Sequence, residues 1–194
     1  FKLNIFLEKL NLEKVFIDND ILKELLYSKL LFNKNLSSTI ILDIENVVKN
    51  KLFNSSKIFF KFDNKEIKLN NSYLVSNKVG QLNIDNSSLK FIEDQLIFSA
   101  SFNFQIKDQK EFYKSFQIPK KNRRNLKNIY FDIEFDIFKN YLNIIKFYIN
   151  NLKNEPSDSV KAILQQYSNN KENKIENWID LKIFSNKIFE NYDG

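Results

Sequence analysis

The stretch LIFSASFNFQI, residues 96–106, decides the fold, because apolar and polar residues alternate along most of its length. Every even-numbered position from Leu96 to Ile106 is apolar, and every odd-numbered position from Ser99 onward is polar. A period of two residues is typical of a strand that buries one face. The sequence therefore predicts a long strand, about 36 Å if regular, with one apolar face.

A second stretch, IYFDIEFDI at residues 129–137, repeats this alternation. Its odd-numbered positions are all apolar and its charged residues share the other face; the charged residues are Asp132, Glu134 and Asp136. The sequence therefore predicts a second long strand of the same kind.

Shorter strand-like runs surround these two: residues 39–44, 57–62, 66–69, 72–75, 81–84, 88–92 and 142–149. Most of the connections between neighbouring runs have two to five residues and are rich in Asn and Asp, which tolerate left-handed backbone conformations. Short connections of this kind join antiparallel neighbours. The middle of the chain is therefore predicted to be an antiparallel meander.

Helical periodicity appears once inside the sheet and at both ends. Asp108 with Glu111 has the spacing of a capping box before a short helix that Pro119 stops. Asp20 can cap an N-terminal helix, and Ser157 or Ser159 can begin a C-terminal one. A last helix is predicted to begin with Asn173 and Glu176.

These elements predict an α+β fold with a curved, mainly antiparallel β-sheet meander, an inserted short helix, and N- and C-terminal helices. Three segments follow from it. Residues 1–35 form an N-terminal strand and helix leading into the sheet, residues 36–152 form the sheet with its inserted helix at 108–118, and residues 153–194 form a C-terminal helical segment.

Composition excludes several classes of enzyme. The 194 residues include no Cys, His or Met, and glycine occurs only at Gly80 and Gly194. Cys/His zinc sites, Ser-His-Asp or Cys-His nucleophiles and redox dithiols need residues that are missing, and a phosphate-cradling loop needs more glycine. With 43% hydrophobic and 28% charged residues, the chain is predicted to be a folded domain.

The acidic residues of the second strand offer one candidate for chemistry. Asp132, Glu134 and Asp136 lie about 7 Å apart on one strand face, a spacing that suits acid–base catalysis or a Ca²⁺ site. The simpler interpretation is the polar face of an amphipathic strand. We therefore predict a protein that is not an enzyme, with no catalytic residue, no metal and no cofactor.

A basic segment between the two long strands offers a second candidate. It holds the only two arginines of the chain, and its cations are Lys120, Lys121, Arg123 and Arg124. Cations grouped in this way suit contact with an anion or a lipid headgroup. A plain solvated loop is the simpler interpretation, and no aromatic residues are interleaved to support nucleic-acid binding.

The apolar strand face is the third candidate, and its residues are Phe98, Phe102, Phe104, Phe131, Ile133 and Phe135. These side chains could simply pack against the helices. If part of the face stays open instead, it forms a groove for acyl chains. At about 0.8 kcal/mol per buried CH₂, a sixteen-carbon chain gains on the order of 12 kcal/mol gross in such a groove.

One segment resembles a known family. Residues 108–133, DQKEFYKSFQIPKKNRRNLKNIYFDI, are similar to the C-terminal portion of AsmA-like proteins of Gram-negative bacteria, which resemble the repeating β-groove lipid-transfer proteins. The hairpins with Asn-rich turns before this segment and the ending NWIDLKIFSNKIFENYDG extend the resemblance over roughly residues 36 to 194.

The resemblance implies a non-enzymatic role in lipid transport or outer-membrane biogenesis in the cell envelope. It implies a periplasmic protein at the inner membrane, with phospholipid acyl chains and envelope proteins as partners and no nucleic acid. The chain contains no run of eighteen apolar residues, so a membrane anchor would lie in a part of the protein missing from this segment. Two alternatives stay open: a structural envelope assembly module with a fully covered core, and a basic nucleic-acid-binding module.

Overall fold

The computed structural model describes residues 1–11, 20–151, 156–169, 175 and 177–192. Within these ranges, the chain forms nine strands and four α-helices. The strands are β1 Lys2–Leu10, β2 Ser38–Val47, β3 Ser55–Asp63, β4 Glu66–Lys68, β5 Ser72–Ser76, β6 Gly80–Ile92, β7 Gln95–Ile106, β8 Asn128–Asp136 and β9 Tyr141–Ile149. The helices are α1 Asp20–Tyr27, α2 Gln109–Ser115, α3 Asp158–Asn169 and α4 Trp178–Asn191, and short 3₁₀ turns lie at Leu30–Phe32 and Lys120–Asn122.

All nine strands belong to one sheet in the order β1-β2-β3-β4-β6-β7-β8-β9, with β5 paired to β3 and β6. Every neighbouring pair is antiparallel except β1 and β2, which are parallel. The predicted fold class, a mainly antiparallel α+β sheet with an inserted short helix and terminal helices, is confirmed. The division into three segments near residues 35 and 152 stays a prediction.

The sheet differs from the predicted meander at three points. Strands β4 and β5 do not pair with each other, because both lie between β3 and β6. The runs 81–84 and 88–92 belong to one strand, β6, because a bulge between Asp85 and Ser88 replaces the expected turn and leaves Asn86 at φ 47°. A bulge adds a residue without breaking the ladder, so a turn-like sequence does not end the strand here. The parallel pairing of β1 with β2 is possible because 27 residues separate Leu10 from Ser38, enough for a crossover.

The turns use asparagine as predicted. Asn64, Asn71 and Asn140 have left-handed backbones, with φ of 47°, 66° and 50°. Gly80 begins β6 at φ 152°, and a Cβ atom at this position would lie 1.9 Å from the carbonyl oxygen of Gln105. Glycine is therefore required where β6 meets β7.

Helix α2 begins where its cap predicts. The Asp108 carboxylate accepts hydrogen bonds from the backbone N–H of Lys110 and Glu111, at 2.8 and 3.1 Å. The Glu111 side chain, expected to complete a capping box, lies 3.4 Å from Lys114 Nζ. An ion pair one turn along the helix thus takes the carboxylate that the box would use.

The two C-terminal helices are capped differently. Before α3, the Ser157 hydroxyl accepts a hydrogen bond from the Val160 N–H at 3.4 Å, which selects Ser157 over Ser159 as the cap. Helix α4 has a complete capping box made by Asn177 and Asp180. Asn173 and Glu176, predicted to begin this helix, lie outside the described residues, as does the side chain of Asp20.

Candidate functional site

One face of the sheet is apolar from strand to strand. Residues that are directly opposite in the ladder point to the same side, and one such row across β6 to β9 contains Ile84, Phe102, Phe131 and Phe147. The matching row on the other face contains Tyr73, Asn83, Asn103, Tyr130 and Tyr148. The sheet therefore separates an apolar side from a polar side.

Helices cover this apolar face at one end of β7 and β8. Phe104 is buried there, and its ring lies 6.1 Å from that of Phe112 on α2. Phe112 stacks on Phe116 at 4.5 Å and meets Phe189 of α4 at 5.8 Å. We call this end, with its core around Phe112, the helix-covered end.

A smaller cluster closes the opposite end of the same strands. Leu96 is fully buried there in a cluster that also holds Phe32, Phe62 and Ile67. Phe32 meets Phe91 edge to face at 4.9 Å. The 3₁₀ turn that carries Phe32 and the residues after α1 therefore cover this end of the face.

Between the two covered ends lies a strip of half-buried apolar side chains. Phe98 and Phe102 of β7 lie beside Phe135 and Ile133 of β8, and none of the four belongs to a core cluster among the described residues. Ala100, between the two phenylalanines, is buried and forms the floor of the strip. We call the surface formed by Phe98, Phe102, Ile133 and Phe135 the middle strip.

The structure therefore brings the six predicted groove residues onto one face but in different settings. Four form the middle strip. Phe104 is buried in the core of the helix-covered end, and Phe131 is half-buried against that core, stacked on Phe102 at 4.8 Å. Phe131 thus links the core to the middle strip.

The ladder adds residues that the sequence pattern did not single out. Leu142 of β9 lies opposite Phe135 and widens the strip, while Leu89 of β6 lies opposite Phe98 and packs against the buried cluster around Leu96. Both side chains are half-buried. Only the strand register identifies them, since their own runs alternate too weakly to define a face.

Two of the three acidic residues of β8, Asp132 and Asp136, make structural contacts. Asp132 lies 3.2 Å from Lys146 Nζ on the neighbouring strand. The buried carboxylate of Asp136 accepts hydrogen bonds from the Phe138 and Lys139 N–H groups, both at 3.1 Å, and so shapes the turn into β9. In the part of the chain that the structure describes, no three carboxylates gather in a way that could hold a metal ion.

The predicted basic segment is ordered against α2 by one tyrosine. The Tyr113 hydroxyl donates to the Arg124 carbonyl and accepts from the Arg124 N–H at 3.0 Å. Arg123 Nε donates to the Ile118 carbonyl at 3.0 Å, and its guanidinium lies 5.5 Å from the Tyr113 ring centre. Burial raises the pKa of Tyr113, although its backbone hydrogen bond and the nearby arginines act in the opposite direction.

Other cations join this segment at the same end of the sheet. Backbone hydrogen bonds hold Lys107 against the turn that carries Lys78, and join Ile106 to Lys127. We call these exposed cations the basic rim: Lys78, Lys107, Lys120, Lys121, Arg123, Arg124 and Lys127. Among the described residues, none of the seven forms an ion pair with a carboxylate.

None of the helices that the structure describes is long and apolar enough to cross a membrane. Comparison of the chain with models of protein families, with curated proteins and with solved structures found no match. What the protein does must therefore be inferred from its own residues and their geometry.

Proposed function

We propose that this protein binds the acyl chains of phospholipid on the middle strip and acts without catalysis in lipid transfer or outer-membrane assembly of a bacterial envelope. The observation that carries the proposal is the strip itself. It is an apolar surface, flanked by two covered ends, on a sheet face whose central rows hold no charged side chain on β7 or β8. Such a surface suits hydrocarbon and needs no catalytic group.

The expected energies favour a lipid with two chains. A sixteen-carbon chain with one side against the strip buries about half its surface, and so gains roughly 6 kcal/mol at 0.8 kcal/mol per CH₂. Association itself costs an estimated 4 to 15 kcal/mol, so one chain in this position is held weakly at best. Two chains side by side double the gain, which favours a phospholipid over a free fatty acid.

The basic rim supports an anionic lipid. It lies beyond the helix-covered end, at the ends of the strands that carry the strip, and all seven cations are exposed. A cation near an anionic membrane surface contributes on the order of 1 kcal/mol. Arg123 and Arg124 can also bind a phosphate through paired N–H groups.

The cellular setting in this proposal comes from the resemblance to AsmA-like proteins. It puts the protein on the periplasmic face of the inner membrane, with an anchor outside this segment and envelope proteins as further partners. The chemistry of the middle strip supports the lipid part of the proposal independently of that resemblance.

Lipid extraction followed by mass spectrometry tests the proposal. Protein expressed in a Gram-negative host is purified without detergent, and we expect phospholipid to be recovered with it. Phe102→Asp should remove most of the lipid, because a carboxylate in the middle strip would have to be desolvated by the acyl chain. Tyr130→Asp is the matched control, since Tyr130 is also a half-buried aromatic residue but lies on the polar face.

The outcomes separate the proposal from its main alternative. Lipid lost from Phe102→Asp and retained by Tyr130→Asp, with both variants folded by circular dichroism, supports a binding strip. If the wild-type protein carries no phospholipid and takes none from labelled vesicles, lipid binding is excluded and a structural envelope assembly module is favoured.

A further inference from the structure

The two edge strands of the sheet, β9 and β1, differ in how far other parts of the chain cover them. At β9, the Ile144 N–H donates to the Ser168 hydroxyl of α3 at 3.2 Å, and the Tyr192 hydroxyl donates to the Ile149 carbonyl at 3.3 Å. Helix α3 also packs along β9. Side chains thus satisfy part of the β9 backbone, and a further strand cannot add there without displacing a helix.

The β1 edge has no comparable cover in the part of the chain that the structure describes. Eight of its nine residues pair with β2 on one side, and no described strand pairs on the other. Leu3 and Phe6 are 44% and 68% exposed. An edge of this length with exposed apolar side chains is a template for another strand.

We propose that two copies of this chain pair through β1, in antiparallel orientation, about a twofold axis at Ile5. An axis perpendicular to the sheet keeps the apolar faces of both copies on the same side. Leu3, Ile5 and Leu7 lie on the apolar face, because they pair with Ile40, Leu42 and Ile44 of β2. The two apolar faces then join into one continuous surface.

Charge selects the register. With Ile5 opposite Ile5 of the second copy, Lys2 faces Glu8 and Leu3 faces Leu7, each pair occurring twice by symmetry. A shift by two residues in either direction loses both opposite-charge pairs. In-register parallel pairing would instead set Lys2 against Lys2 and Glu8 against Glu8, which like charges disfavour.

The backbone agrees with this register. The Phe1 carbonyl accepts a hydrogen bond from the Thr39 N–H of β2 at 3.0 Å. Along a strand of a parallel ladder, residues whose N–H and C=O groups point to the paired strand alternate with residues whose groups point to the other side. From Lys2 to Phe6 the even-numbered residues therefore face the open edge, so Asn4 opposite Phe6 forms a hydrogen-bonded pair. Near the end of β1 this alternation changes, because the Glu8 carbonyl accepts a hydrogen bond from the Asn46 side-chain amide at 3.1 Å and the Leu10 carbonyl accepts one from the Val48 N–H at 2.9 Å. Glu8 lies 3.7 Å from Lys9 Nζ, but both side chains are well exposed and such a pair is weak enough to exchange.

Disulfide trapping tests the register, and the chain has no native cysteine to interfere. In the proposed dimer Ile5 lies opposite itself at a non-hydrogen-bonded position, where Cα atoms are about 4.5 Å apart, within the range that a disulfide spans. We expect Ile5→Cys to form a covalent dimer under mild oxidation. Phe6→Cys, next to it and more exposed, is the control and should stay monomeric, because in this register it faces Asn4.

Sedimentation velocity on the wild-type protein and on charge variants gives a second readout. Lys2→Glu should weaken the dimer by about tenfold, since it sets two carboxylates together twice, and adding Glu8→Lys should restore it. Lys34→Glu is a control for net charge. If the wild-type protein stays monomeric up to about millimolar concentration and Ile5→Cys forms no disulfide, the proposal is overturned. If Phe6→Cys forms covalent dimers efficiently and Ile5→Cys forms none, the proposed register is overturned. Neither result depends on whether lipid binds.

Discussion

The helix-covered end and the middle strip belong to the same face of the same two strands, yet they are packed differently. Phe104 is 6% exposed, while Phe102, two residues earlier on β7, is half-buried. The difference comes from α2, which places Phe112 over Phe104. Phe102 is not part of the core cluster that contains these two rings. One pattern of alternation therefore gives a buried core at one end and a half-buried apolar strip in the middle.

Truncating the core aromatic should give the largest effect of any prediction here. Phe112 is 1% exposed and contacts four other aromatic rings, so Phe112→Ala should lower the free energy of unfolding by about 3–5 kcal/mol. Phe102→Ala in the middle strip should cost only about 1–2 kcal/mol, because its side chain is partly solvated already. Urea denaturation measures both, and equal losses would show that the strip is part of the core.

A substitution at Gly80, where β6 begins beside the end of β7, should lower the free energy of unfolding nearly as much. Gly80→Ala adds a Cβ atom 1.9 Å from the Gln105 carbonyl at a φ of 152°, so the backbone must shift. We expect a loss of about 2–3 kcal/mol in the free energy of unfolding. Asn86→Ala, in the exposed β6 bulge at φ 47°, is the comparison and should cost less. A Gly80→Ala protein as stable as the wild type would contradict the observed approach of the strands.

Removing one hydroxyl should loosen the basic segment with a smaller effect. Tyr113→Phe leaves the carbonyl and N–H of Arg124 without their shared partner, which should cost about 1–2 kcal/mol. Since burial raises the Tyr113 pKa above its usual 10, the folded state favours the neutral phenol. The resulting stability is present below pH 10 and is lost as pH rises through the folded pKa.

Alkaline denaturation curves check the second part of that prediction. Above pH 10 the stability of the wild-type protein should fall more steeply than that of Tyr113→Phe. Parallel curves would mean that Tyr113 ionises equally easily in the folded and unfolded states.

Neutralising surface charge should have the smallest effect on folding stability. Lys120→Gln with Lys121→Gln should weaken binding to phosphatidylglycerol vesicles by about 1 kcal/mol per charge, and salt should weaken it further. Folding stability should change by less than about 0.5 kcal/mol, because both side chains are exposed. Lys34→Gln, outside the basic rim, is the control, and phosphatidylcholine vesicles should show no difference. An equal loss with Lys34→Gln would point to net charge instead of the rim.

Much of the architecture could be predicted because its causes are local. Alternation fixes which face a side chain takes, so all six groove residues fall on one face once they are in strands. Asparagines at Asn64, Asn71 and Asn140 mark real turns because they tolerate a left-handed backbone. The run around Asp85 misleads for the same reason, since a bulge and a turn use the same residues.

The sequence by itself determined that there is a sheet with one apolar and one polar face, a short helix capped by Asp108, and too few chemical groups for the common enzyme classes. Only the tertiary structure decided which part of the apolar face is covered by helices and which part is left half-buried. Which side chains are covered depends on where α2, α4 and the turn at Phe32 pack, and on the parallel return of β2 along β1. Those contacts join residues far apart in the chain, so the local alternation of apolar and polar residues cannot predict them.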